Sequence, residues 1–273
     1  MPSVLAIDAA WTLSQPSGIA LIELTSSGWV CQAAAPSYEA FVDLAMGKGV
    51  NWQMKAKGSE PAPERLIKAA RTILYGKTVD LVTIDMPIAT VPITSRRVAD
   101  NLVSREFGGR KCSVHSPNTE RPGHLGASVS ASFLSLGFQL ATSRTPLGSL
   151  GHLVEVYPHP ALLALLDVEC RVKYKVAKSS KYWKGTSVKL RISNLLKEFR
   201  RILAALEMHI AAIPLTIPDE GSITTLAELK RYEDALDALV CAWVGIKYLE
   251  KKAVSYGDDT CAIWIPEMHG NRG

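Results

Sequence analysis

Acidic residues end several apolar segments of the chain, where a carboxylate can take part in chemistry. Asp8 ends an apolar run at 4–8, and Asp85 ends another at 79–85, just before Met-Pro. If these runs are parallel strands, their carboxyl ends meet at the sheet edge where α/β proteins bind ligands. Glu155, in the sequence Val-Glu-Val-Tyr-Pro, is predicted to reach the same edge from a neighbouring strand. We therefore expect these three acids to lie in one site.

Two further acids lie on a late helix. Asp234 and Asp237 are three residues apart in Tyr-Glu-Asp-Ala-Leu-Asp-Ala-Leu, so both occupy one face of the helix. The surrounding alanines and leucines predict a buried face, where a carboxylate is costly unless it is paired or bound to a metal. Pairing of Asp234 with Lys230 or Arg231 is the alternative explanation.

A cluster of carboxylates suggests a bound divalent cation. Clustered carboxylates repel one another and raise one another's pKa unless such an ion neutralises them. Their oxygens suit Mg²⁺ or Mn²⁺, and two ions about 4 Å apart can activate water and stabilise the leaving oxygen of a phosphodiester. Taken singly, Asp8 or Asp85 is equally explained as a strand-end cap or a turn residue. The candidate metal ligands are Asp8, Asp85, Glu155, Asp234 and Asp237, and the expected cofactor is Mg²⁺ or Mn²⁺.

A strongly basic segment begins at residue 171. Residues 171–201 contain eleven Lys and Arg against one acid, whereas the whole chain has a net charge of only +5. Tyr174, Tyr182 and Trp183 are interleaved with these charges. Such a segment can follow a phosphate backbone while its rings stack on bases, so nucleic acid is the predicted partner. The alternative is a solvated charged surface without a ligand.

Further basic side chains are predicted to bind the substrate. Arg97 follows Asp85 in the chain, and a guanidinium cluster there can hold a phosphate beside the acids. The alternative is an ordinary ion pair between Arg97 and Asp100. His159 is predicted to shuttle protons near neutral pH, with a purely structural turn as the alternative. The predicted substrate-binding residues are Arg97, Arg105, Arg110, His159, Lys178, Lys181 and Lys184.

Apolar periodicity and turn signals predict the elements that position these residues. The predicted strands are 4–8, 18–24, 28–35, 79–85, 153–157 and 261–265. The predicted helices are 38–46, 61–76, 94–107, 128–142, 161–166, 188–212 and 226–252. The second and third strands read as an antiparallel hairpin, and a helical crossover predicts parallel pairing of the first and fourth. The order predicts an α/β fold, a mixed sheet with an antiparallel hairpin edge, parallel strands and helices on both faces.

Length and composition limit the class of protein. The 273 residues are 47% hydrophobic and 21% charged, which predicts a single domain over 1–273 with insertions at about 94–150 and 167–225. No apolar run approaches the roughly 20 residues that span a bilayer, so no membrane partner is expected. Five dispersed cysteines and an N-terminus without a basic region predict a reduced, cytoplasmic protein. Oligomeric state stays open.

Four motifs, in this order, resemble those of a known family. They are Ala-Ile-Asp-Ala-Ala-Trp, Thr-Ile-Asp-Met-Pro, Val-Glu-Val-Tyr-Pro-His-Pro and Tyr-Glu-Asp-Ala-Leu-Asp-Ala. Together they resemble the DUF429 family of predicted ribonuclease H-like nucleases, over residues 4–266. The resemblance implies a ribonuclease H-like sheet and implies that Asp8, Asp85, Glu155 and Asp237 are catalytic, metal-binding positions. The Asp-x-x-Asp spacing is also similar to that in the last helix of Holliday-junction resolvases.

The resulting expectation is a metal-dependent nuclease that hydrolyses phosphodiester bonds at a two-metal carboxylate site. Two other functions remain open. One is a non-catalytic nucleic-acid-binding or regulatory protein on the same fold, and the other is an ATP-dependent phosphotransferase. The phosphotransferase needs a Gly-rich phosphate hairpin after the first acid, whereas Asp8 is followed by Ala-Ala-Trp-Thr-Leu-Ser-Gln-Pro. DNA and RNA are not distinguished by the sequence.

Overall fold

The fold is built from strands and helices around one sheet. The computed structural model describes residues 1–268. The strands are β1 (Ser3–Asp8), β2 (Gly18–Thr25), β3 (Gly28–Ala35), β4 (Leu81–Ile84), β5 (Gln139–Leu140), β6 (His152–Val156), β7 (Ala253–Gly257) and β8 (Ala262–Pro266). The helices are α1 (Tyr38–Ala45), α2 (Pro63–Ile73), α3 (Val98–Phe107), α4 (His124–Ser135), α5 (Pro158–Leu166), α6 (Ser179–Tyr182), α7 (Val188–Glu207) and α8 (Leu226–Leu249).

The sheet has the order β3-β2-β1-β4-β6-β8-β7, and β5 pairs with β6 outside this path. β1, β2 and β3 are antiparallel neighbours, whereas β1, β4, β6 and β8 are parallel to one another. Parallel register pairs Ile7 with Ile84 and Ile84 with Glu155, so the carboxyl ends of β1, β4 and β6 lie side by side. The predicted α/β fold, with a mixed sheet that joins an antiparallel hairpin to parallel strands, is confirmed.

Helices cover both faces of the sheet, as predicted. Side chains alternate along a strand, so β1 sends Val4 and Ala6 to one core and Leu5 and Ile7 to the other. The first core contains residues of α5, α7 and α8, and the second contains residues of α1, α2 and α4. α8 lies directly on β1 and β2 and is buried on nearly all sides. No helix within residues 1–268 combines the length and hydropathy needed to cross a bilayer.

Some predicted boundaries are wrong, for identifiable local reasons. The helix predicted at 128–142 ends near Ser135, because Gly137 has a φ of +93° that breaks the helix, and residues 139–140 form β5 instead. α3 begins at Val98 rather than at 94, because the Asp100 carboxylate accepts a hydrogen bond from the Arg97 backbone N–H at 2.8 Å and caps the helix there. β7 is absent from the prediction because its residues after the first are at least partly exposed and form no apolar run.

Candidate active site

Asp8 and Asp85 lie side by side at the carboxyl edge of the sheet. Ile7 pairs with Ile84, and the Asp85 backbone N–H donates to the Ile7 carbonyl oxygen at 2.9 Å. Adjacent strands lie about 4.8 Å apart. Alternation along β1 and β4 puts both aspartates on the sheet face that α8 covers. Within residues 1–268, neither carboxylate accepts a hydrogen bond from another side chain.

α8 brings three more acids to this edge. Glu233, Asp234 and Asp237 are 2%, 1% and 0% exposed. Gly18 pairs with Asp8 in the β1–β2 register, and a Cβ at Gly18 would lie 1.9 Å from the Asp234 carbonyl oxygen. The missing side chain therefore lets the α8 backbone pass close to Asp8. We call the resulting five carboxylates the acidic cluster: Asp8, Asp85, Glu233, Asp234 and Asp237.

Two lysines form ion pairs within the acidic cluster. Lys175 pairs with Asp237 and lies 3.6 Å from a Glu233 oxygen. Lys230 pairs with Asp234, and its Nζ lies 2.9 Å from Glu233. The second carboxylate oxygen of Asp234, Oδ2, is buried and has no hydrogen-bond partner within the described chain. The acids of α8 are thus paired with lysines, while the two strand-end aspartates are not.

Burial and mutual repulsion oppose ionisation of the unpaired acids. Burial and the Asp237 carboxylate raise the pKa of Asp8 to about 7. Burial and the Asp8 carboxylate raise the pKa of Asp85 well above its ordinary value. Burial also raises the pKa of Asp234 well above its ordinary value, although Lys230 lowers it. The two lysines therefore do not balance the five carboxylates of the cluster, and binding a cation would relieve the repulsion between them.

A divalent cation fits Asp8 and Asp85 better than it fits the acids of α8. Within residues 1–268, no group of three or more His, Cys, Asp or Glu side chains is arranged to hold a metal ion. Mg²⁺ is commonly held by one or two carboxylates and several waters. The unpaired Asp8 and Asp85 can supply the carboxylates. The α8 acids are already engaged by lysine ammonium groups. Asp8 and Asp85 are therefore the residues that could hold an ion here, because the acids of α8 already have lysine partners.

Glu155 borders the same edge, but its side chain is engaged on the opposite face from Asp85. Its two neighbours in β6 pack on the α8 side, so alternation directs Glu155 away from α8. There, the two terminal nitrogens of Arg97 each donate to one Glu155 oxygen at 2.6 Å. The other Arg97 N–H groups donate to Asp100 and to the Ile88 carbonyl oxygen. All five N–H donors of Arg97 are thus used within the protein, which leaves none for the predicted phosphate contact.

Two adjoining cavities open at the acidic edge. One, of about 340 Å³, is bordered by Asp8 and Asp234, and the other, of about 380 Å³, is bordered by Asp85 and Glu155. Both volumes lie at the small end of the roughly 300–1,000 Å³ typical of ligand pockets. The residues that border both cavities are Trp11, Gln15, His115, Arg121, Lys175 and Lys230.

The predicted substrate-binding residues separate into two groups. Lys178 and His159 border the larger cavity, as Arg97 does. The others are exposed and border neither cavity: Arg105, Arg110, Lys181 and Lys184. Tyr174 is not available to stack on a base, because it is fully buried and its hydroxyl donates to Asp237 at 2.5 Å. Tyr174 and Lys175 of the basic segment thus contact Asp237 of the acidic cluster.

Sequence reasoning missed the roles of Lys175 and Glu233. For Glu233 a signal existed, since it directly precedes Asp234, which the sequence already places on a buried helix face. For Lys175 no local signal existed. Its partner Asp237 is 62 residues away in the chain, and the surrounding bases suggest a solvated segment.

Alanine at Gly18 is expected to destabilise the protein, by about 1–3 kcal/mol or more, because its Cβ would collide with the α8 backbone. Gly49→Ala is the matched control, since a Cβ there meets nothing within 4 Å and should change stability by less than about 0.5 kcal/mol. Urea denaturation of both variants measures the difference. Equal midpoints would show that the close approach of α8 to β2 contributes nothing to stability.

One family model matches nearly the whole chain. The family described as "Protein of unknown function (DUF429)" matches residues 7–261. No curated protein and no solved structure matches the sequence. The matched span contains the whole acidic cluster.

Proposed function

We propose that this chain, which belongs to the DUF429 family, is a divalent-metal-dependent nuclease with a ribonuclease H-like fold. The observation that carries the proposal is the placement of Asp8 and Asp85 at the ends of adjacent parallel strands, facing the buried acids of α8. The ribonuclease H-like assignment is supported by the three antiparallel strands β3-β2-β1, which β4 and β6 continue in parallel. Acids at the ends of β1 and β4 are what the family resemblance implies.

Asp8 and Asp85 would hold Mg²⁺ or Mn²⁺. When bound, such an ion lowers the pKa of a coordinated water and offsets charge that develops on the phosphodiester. Asp237 would be the residue to hold a second ion, which the two-metal arrangement needs, if Lys175 left its ion pair with Asp237. Lys175 borders both cavities, so its ammonium can then compensate charge on a substrate phosphate instead.

Glu155 and Arg97 serve the site by positioning the chain after Asp85. The Ile88 N–H donates to Glu155 at 3.0 Å, and the Ile88 carbonyl oxygen accepts from Arg97 at 2.8 Å. Both polar backbone groups of a residue three positions beyond Asp85 are thereby fixed to the Arg97–Glu155 pair. In the proposed mechanism, Glu155 therefore has a positioning role and is not a metal ligand.

Cleavage of labelled DNA and RNA oligonucleotides, with Mg²⁺ or Mn²⁺ and with a chelator, tests the nuclease proposal. We expect metal-dependent cleavage that Asp8→Asn reduces more than about a hundredfold, since even loss of an outer-shell partner of a metal costs about 10–100-fold. Asp219→Asn is the control, because the Asp219 side chain is fully exposed. Cleavage that survives chelation or Asp8→Asn would contradict the proposal. Binding without cleavage under every metal would favour a non-catalytic nucleic-acid-binding protein.

Nucleic acid as the partner is tested by the dependence of affinity on salt. Each phosphate neutralised by Lys or Arg releases counterions, so affinity falls linearly on a log–log scale. Neutralising Lys178, Lys181 and Lys184 together should lower the magnitude of that slope by about 2–3 units. Fluorescence anisotropy with single- and double-stranded oligonucleotides measures it. A flat response to salt would leave the basic segment as a solvated surface, and a thermal shift with ATP would favour the phosphotransferase.

A cytoplasmic location is part of the same proposal. All five cysteines are unpaired, and four of them are buried. Unpaired cysteines are typical of proteins kept in a reducing compartment.

A further inference from the structure

A group of cations without acidic partners borders the larger cavity, which Asp85 and Glu233 of the acidic cluster also border. We call it the cationic wall and define it by four residues: His115, Arg121, Arg171 and Lys178. No member of the cationic wall forms an ion pair with a carboxylate within residues 1–268, in contrast to the lysines of the acidic cluster. The described chain thus leaves two arginines, a lysine and a histidine without carboxylate partners around one small cavity.

The members of the cationic wall lie close enough to repel one another. Burial, then Lys178, Arg171 and Arg121, lower the pKa of His115. Burial, then Arg171, lower the pKa of Lys178. Crowding of like charges costs free energy unless an anion lies among them.

His159 provides an independent observation in the same cavity. It is only 6% exposed, and its Nε2 accepts a hydrogen bond from Arg171, because a guanidinium nitrogen can only donate. Burial and the Arg171 charge lower the pKa of His159 well below its ordinary value, so the ring is neutral and its proton is on Nδ1. Nδ1 is buried and has no partner among the described residues. His159 therefore holds the Arg171 guanidinium in place through Nε2, while its buried Nδ1–H points away from that guanidinium.

We propose that the cationic wall binds the terminal phosphate monoester of a nucleic-acid strand, which places the strand end beside Asp85. The proposal rests on the nuclease function and gives it an end-directed substrate. A guanidinium matches phosphate oxygens in two-point contacts, and His159 already fixes that of Arg171. A terminal phosphate carries about two negative charges near neutral pH, against one for an internal phosphodiester, so it better matches several unpaired cations.

The size of the cavity favours the same substrate. Its volume of about 380 Å³ is that of a small-ligand pocket and suits one nucleotide unit rather than a duplex. Asp85 borders the same cavity as Arg171 and Lys178. A phosphate held on the cationic wall would therefore bring the adjoining phosphodiester towards the strand-end aspartates.

Binding of single-stranded oligonucleotides in the presence of a chelator tests the proposal without catalysis. Three forms of one labelled sequence are compared by anisotropy, with a 5′-phosphate, with a 3′-phosphate and with hydroxyls at both ends. We expect one phosphorylated form to bind at least about tenfold more tightly than the hydroxyl form. Inorganic phosphate should compete with the phosphorylated end for the cationic wall and so reduce the difference in affinity. Free nucleoside monophosphate should compete more strongly than phosphate. Equal affinity of all three forms would overturn the proposal and would indicate internal phosphates or no phosphate subsite.

Variants assign the preference to the cationic wall. Arg171→Gln and, separately, the exposed Arg121→Gln should each remove most of the preference for the phosphorylated end. Arg71→Gln is the matched control, because Arg71 is exposed on α2 and borders neither cavity of the acidic edge. A preference that survives both wall variants would contradict the assignment even if it exists in the wild-type protein. Metal-dependent cleavage without any end preference would overturn this inference alone and leave the nuclease proposal standing.

Discussion

In a chelating buffer, the Asp85→Asn protein is expected to be more stable than the wild type and to have lost its affinity for Mn²⁺. The substitution removes a charge that is partly buried, unpaired and repelled by Asp8. Removal of such a charge is expected to stabilise the metal-free protein by about 1–3 kcal/mol at pH 8. Loss of one carboxylate ligand should weaken Mn²⁺ binding more than about a hundredfold. Urea denaturation and calorimetric titration measure the two effects.

The gain in stability should depend on pH with a defined sign. The pKa of Asp85 is raised in the folded protein, so the unfolded chain loses the proton at lower pH than the folded one. The wild type therefore loses stability as pH rises from about 4 through the folded-state pKa, whereas the amide of the Asp85→Asn variant does not titrate. The difference between the two proteins should be smallest near pH 4 and should grow as pH rises through the folded-state pKa.

Asp219→Asn, on a fully exposed side chain, is the matched control and should change neither stability nor Mn²⁺ binding. If Asp85→Asn instead destabilised the metal-free protein at pH 8, the aspartate would be satisfied within the fold. An unchanged Mn²⁺ affinity would exclude Asp85 as a ligand.

Arg97→Met is expected to destabilise the protein by about 3–5 kcal/mol. The substitution leaves Glu155 and Asp100, which are 3% and 1% exposed, without the guanidinium that neutralises them. Removing one partner of a buried ion pair costs this much because an uncompensated charge remains. Chemical denaturation gives the free energy of unfolding.

Arg105→Met is the control for that variant, because Arg105 is an exposed arginine in α3. Its effect should stay within about 0.5 kcal/mol. The double variant Arg97→Met/Glu155→Gln should recover part of the lost stability, since the unpaired carboxylate is gone. Strictly additive effects would show that the two side chains are not coupled.

Several parts of this structure follow from local sequence. The apolar runs of β1 and β4 and the turn signals after β2 predict the hairpin and the parallel pairing, which the sheet confirms. Such signals act over a few residues, so they can be read directly. They also identify Asp8 and Asp85 as neighbours, because both directly end apolar strand runs.

The side-chain direction of Glu155 follows from alternation along its strand, which is a local signal. Glu155 lies between two buried valines of β6, and these pack under α8. A period of two residues therefore sends the glutamate to the other face. Asp8 and Asp85 alternate in the opposite sense and face α8.

The sequence by itself determined the mixed sheet, the strand-end acids and the buried acidic face of α8, because strand and helix periodicity are local properties. Only the tertiary structure decided which of these acids are paired. Lys175 reaches Asp237 across 62 residues, and Arg97 reaches Glu155 across 58. Neither pairing leaves a local signal, since it depends on how distant segments pack. The same packing leaves Asp8 and Asp85 without a salt-bridge partner among the described residues.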